Sequence, residues 1–83
     1  MAKKDFFDVF FEEKKIPPKT FEVKDKHGNT HFIDNEFVIS LIKSASQEEK
    51  KQIEQVLRKI DFHNGDVNHF LEHLAKGYIA THF

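Results

Sequence analysis

Five residues, DKHGN at positions 25–29, constrain this chain more tightly than any other stretch. Asp25 stands at the first position of a type I turn and Gly28 where a left-handed residue is required, the pattern of a three-residue hairpin loop with a bulge. Both flanks are β-prone: Phe21 and Val23 alternate with Glu22 and Lys24, and residues 30–33 read THFI. If Asp25 faces Asn29, then Val23 faces His31 and Phe21 faces Ile33. One face is then apolar apart from His31, and Phe32 points the other way. Two strands are not stable alone in water, so a helix has to cover that face.

The rest of the chain supplies helices. Phe6, Phe7, Phe10 and Phe11 recur at helical spacing around Val9, with Asp5, Asp8, Glu12 and Glu13 on the other side. Lys14 and Lys15 suit the carboxyl end of that helix, and Pro17-Pro18 ends it, because proline lacks an N–H and drives the preceding residue away from helix. After Asp34, a candidate N-cap, Phe37, Val38, Leu41, Ile42 and Ala45 form a second helical stripe. The same stretch, EFVISLI, is rich enough in β-branched and aromatic residues to suit a third strand instead. Ser46 and Glu49 make a capping box ahead of Ile53, Val56, Leu57 and Ile60, the most regular helical pattern here. DFHNGD then closes that helix, with Gly65 able to take positive φ and Asp66 able to cap the next. Val67, Phe70, Leu71, Leu74 and Tyr78 mark the last helix, for which Gly77 is the expected breaker.

These elements predict one small α+β domain over residues 1–83: an N-terminal helix at 1–16, one β-hairpin at 20–33, then three consecutive helices at 34–79 and a frayed tail at 80–83. A domain of this size buries only roughly 60% of its unfolded surface, so its core has to be dense. There is no cysteine to cross-link it or to bind zinc as thiolate, which fits a reducing, cytoplasmic compartment. Ten Phe against one Tyr and no Trp favour core filling, since Phe has no polar tip to place at a wet boundary.

Charge excludes further classes. Thirteen basic and fourteen acidic residues are interleaved, giving a formal charge of -1, so a general phosphate-backbone binder is disfavoured. The pair of helices around DFHNGD could suggest a helix-turn-helix. Its second helix, however, opens on Asp66, the wrong sign to meet phosphate. The acidic residues among the N-terminal phenylalanines break any apolar run long enough for a signal peptide or membrane span. No P-loop, Gly-rich dinucleotide fingerprint or nucleophile–His–Asp set occurs, and no cofactor is expected.

The one motif with chemistry in it is His69, Glu72 and His73, spelling H-x-x-E-H, which resembles the zinc site of inverzincin peptidases. Catalytic zinc needs a third protein ligand, and none of the ten residues after His73 is Asp or Glu. At about 100° per residue, moreover, His69 lies opposite the apolar stripe with Glu72 and His73 flanking it. The motif therefore predicts at most weak adventitious metal binding by His69 and His73, with a metal-dependent hydrolase as the alternative function. Protonating all six histidines would carry the formal charge from -1 to +5.

The stretch LRKIDFHNGDVNHFLEHLAKGYI, with DKHGNTHFID before it, resembles a family of small uncharacterised cyanobacterial proteins. That resemblance implies a compact cytoplasmic domain and transfers no site residue. The expectation is a non-catalytic protein-interaction or regulatory module, with a protein partner or as a homodimer. Its candidate contact surface is the N-terminal helix face of Phe6, Phe7, Phe10 and Phe11, because an exposed apolar patch marks an interaction surface.

Overall fold

A computed structural model of the chain describes residues 5–83; positions 1–4 of the expected N-terminal helix lie outside the described residues. Among these, the order is α1 (Phe6–Lys14), β1 (Thr20–Lys24), β2 (Thr30–Asp34), α2 (Asn35–Lys43), α3 (Gln47–Phe62) and α4 (Val67–His82). The architecture is the α+β arrangement of helix, hairpin and three helices. None of these helices is long and apolar enough to cross a membrane.

The hairpin forms as its turn dictates. Phe21 pairs with Ile33 and Val23 with His31 in an antiparallel register, and the Asp25 and Asn29 backbones bond across the loop at 2.9 Å. Gly28 takes φ 84°, a conformation that costs an L-residue about 1–2 kcal/mol. Asp25 then does more than start the turn. Its Oδ1 accepts the backbone N–H groups of His27 and Asn29, at 2.8 and 2.9 Å.

The inner face of the hairpin lies on α4, which also packs against α2. Phe21, Val23, Ile33, Val38, Ile42, Leu71, Ala75 and Ile79 are buried together in this layer. Residues 35–43 are helix, not strand, and bury Val38 and Ile42 while Phe37 stays 41% exposed. The buried face of α4 differs from the expected stripe: Asn68, Leu71, Ala75 and Ile79 are inside, while Val67, Phe70, Leu74 and Tyr78 are only half-buried. Covering a sheet turns the helix so that a small residue, Ala75, sits at full burial.

Three boundaries depart from expectation. The first helix is shorter than 1–16, because Lys15 adopts φ 48° and closes it before the prolines. Asn64, not Gly65, takes the left-handed conformation after α3, at φ 55°. The Asn64 N–H bonds to the Asp61 carbonyl and the Gly65 N–H to the Ile60 carbonyl, which is a Schellman closure. Gly65 serves by being small, since a Cβ there would stand 3.0 Å from Ile60 Cγ2. Gly77 is no breaker, and 80–83 is no frayed tail: α4 continues to His82 because Ile79, 2% exposed, is held in the core.

A buried polar junction organises the centre. Asn35 Nδ2 donates to the Pro17 carbonyl and to Asn68 Oδ1, both at 2.9 Å, and the Asn35 N–H donates to the Lys19 carbonyl at 2.8 Å. The proline connector is thereby pinned to the first turns of α2 and α4. Every buried polar side-chain atom among the described residues has a partner.

Candidate functional site: the furrow between α3 and α4

The capping box forms as expected, with Ser46 Oγ accepting the Glu49 N–H at 3.2 Å, and the helix it starts is 16 residues long. Yet only Leu57 of that helix is fully buried. One flank receives α1. Phe7 and Phe10 are 3% and 7% exposed there, Phe6 and Phe11 are half-buried against the same core, and the Arg58 guanidinium lies 4.7 Å from the Phe6 ring centre. Ion pairs surround the contact: Asp5 with Lys50 at 3.8 Å, Asp8 with Lys43 at 3.1 Å, and Lys14 with Asp61. Lys43 holds the Asp8 carboxyl below its usual value, chiefly by hydrogen bonding. The N-terminal Phe face thus belongs to this chain's own core at Phe7 and Phe10. Only Phe6 and Phe11 keep part of their rings at the surface.

The other flank of α3 is open. Val56 is 39% exposed and Ile53 and Ile60 are half-buried; Ile53 shares a depression with Leu74 and Tyr78 of α4, and Ile60 shares one with Phe70. Two depressions lie along this side. One, of about 550 Å³, is lined by Leu41, Ala45, Glu49, Ile53, Leu74 and Tyr78 among others; the second, of about 400 Å³, is lined by Ile60, Asp66, His69 and Phe70. His73 borders both, so the two depressions adjoin there as a furrow along the α3–α4 side, the first also walled by α2, with apolar and polar residues in the lining.

This geometry divides the H-x-x-E-H motif. His69 and His73 are exposed, as the helical wheel predicts, but they border the furrow instead of open water. Glu72 is half-buried on the adjacent face and lines neither depression. Among the described residues no group of three His, Cys, Asp or Glu side chains is placed to hold a metal ion.

A second polar cluster escaped sequence reasoning. His31 Nε2 lies 2.8 Å from Asp25 Oδ2, and the His31 ring packs 4.5 Å from that of Phe83. The His31 contact and the turn N–H groups lower the Asp25 carboxyl from 3.8 to about 2, against the opposing effect of burial. A signal for this did exist. Residues 25 and 31 share one face of the hairpin by register, so the intruding histidine had a carboxylate two pairs away. Nothing comparable marks Asn35 and Asn68, which are 33 positions apart.

Compared with models of known protein families, with curated proteins and with solved structures, the chain matches none.

Proposed function

We propose that this chain is a non-catalytic protein-interaction module that binds through the α3–α4 furrow. The observation that carries this reading is the incomplete burial of α3: a regular helix with one fully buried residue leaves Val56 exposed, and Ile53 and Ile60 half-buried beside depressions they share with Leu74, Tyr78 and Phe70 of α4. Stable domains keep apolar surface of that kind for partners. The contact surface therefore moves from α1, where two of the four phenylalanines are core, to the opposite flank of α3. Hydrolysis gains no support from His69, Glu72 and His73, because only the imidazoles line the furrow and, among the described residues, no third ligand stands with them. Nucleic-acid binding gains none either, since Asp66 places a carboxylate at the α4 N-terminus. The absence of cysteine supports a cytoplasmic setting.

Photo-crosslinking tests the reading. A photoreactive residue at Val56, in living cells expressing the chain, is expected to give a covalent polypeptide adduct that Ile60→Glu removes while the fold persists. The same residue at Glu22, on the outer hairpin face beside Phe32, is expected to give none. An adduct at Glu22 alone, or none at Val56, rejects the furrow as the contact surface.

A further inference from the structure

We infer that the occupant of the furrow is the α3 helix of a second copy of this chain, docked antiparallel about a twofold axis at Val56. The inference rests on the furrow being a protein-contact surface, as proposed above.

The spacing along α3 is what selects this partner. Glu49, Ile53, Val56, Ile60 and His63 follow one another at steps of four, three, four and three, the seam of a two-helix coiled coil. Ile53, Glu49 and Ile60 all line the furrow, and Val56 lies between them on the same side of the helix. An isologous pair brings each residue against its counterpart reflected through the axis. With Val56 at the centre, Val56 meets Val56 and Glu49 meets His63, while Ile53 and Ile60 come within one residue of register, about 1.5 Å along the axis. The apolar positions lie side by side, and each end sets a carboxylate against an imidazole that can donate to it. Beside the seam, Lys59 of one copy comes next to Gln52 of the other, so no two like charges oppose. The acidic neighbours at the His63 end are already engaged: Asp61 pairs with Lys14, and the Asp66 Oδ1 accepts the Asn68 N–H at 3.0 Å. His69 and the positive end of the α4 dipole stand at the same place. A second copy thus supplies the apolar row and the end charges that the furrow lacks.

The absence of cysteine makes a direct test available. Full-length Val56→Cys is expected to form a disulfide-linked dimer of twice 9.8 kDa on mild oxidation, whereas Gln55→Cys, one residue away and off the seam, stays monomeric. Sedimentation of the unmodified chain to about 1 mM is expected to show the same dimer reversibly. Glu49→His and His63→Glu should each weaken it by about fivefold to tenfold, because the end pair occurs twice, and the double exchange should restore it. Circular dichroism identifies folded variants. Equal crosslinking at 55 and 56, a monomer throughout the concentration range, or failure of the double exchange to restore affinity overturns the second copy as occupant. If the chain is monomeric but the photoreactive residue at Val56 captures another polypeptide, only the identity of the occupant is lost. If it captures nothing, the interaction reading falls as well.

Discussion

The two long helices, α3 and α4, are each 16 residues, yet the core treats them differently. α4 buries Asn68, Leu71, Ala75 and Ile79, touching the hairpin on one side and α2 on another. α3 buries Leu57 alone, and its neighbour α1 reaches it through phenylalanine rings and surface ion pairs instead of close backbone packing. Exposed ion pairs contribute only about 0–1 kcal/mol each, so that side of the molecule is held chiefly by Phe7 and Phe10. The contrast teaches that helix regularity and helix burial are independent. The best-patterned helix in the sequence is the one with surface to spare.

The strongest way to break the contrast is a matched pair of truncations. Leu71→Ala is expected to cost about 2–5 kcal/mol, because Leu71 is fully buried, whereas Val56→Ala should stay within about 0.5 kcal/mol in dilute solution. Urea melts below the dimer concentration measure both, and similar costs would show α3 to be as central as α4. Next comes the polar junction. Asn35→Ala leaves the Pro17 carbonyl and Asn68 short of a donor, so a loss of about 1–3 kcal/mol is expected. Hydrogen exchange should then show faster opening at the starts of α2 and α4, with β1–β2 amides less affected.

Gly77→Ala runs in the opposite direction. A Cβ at this mid-helix position meets nothing within 4 Å, so the variant should gain about 0.5–1 kcal/mol in helix propensity. A loss in thermal melts would mean that α4 is strained there. The smallest effect is confined to acid. Asp25 has a carboxyl lowered from 3.8 to about 2 in the fold, so its stabilisation is complete above 3.8 and disappears as pH falls through about 2. Asp25→Asn should flatten that limb of the stability–pH curve, measured by denaturant melts between about pH 5 and 2. An unchanged limb would assign it to other carboxylates.

Local chemistry was legible from the residues alone. The hairpin register follows from Asp25 and Gly28, and the α3 start from Ser46 and Glu49; each depends on neighbours within a turn or so. The surface nominated for binding was less legible. Phe6, Phe7, Phe10 and Phe11 are apolar whether they face a partner or the chain itself, and only the docking of α1 divides them into two core residues and two half-exposed ones.

By itself, then, the sequence determined the order of the elements and the identity of all but α2, which could also have been a strand, because caps, turns and periodicity act over a few bonds. Tertiary structure decided the rest: that α4 runs through Gly77, since Ile79 is gripped by the core; that Asn35 and Asn68 meet; and that His69 and His73 border a depression. It also decided which flank of α3 stays uncovered. Those outcomes depend on residues tens of positions apart competing for one small core, and no local pattern records which of them wins.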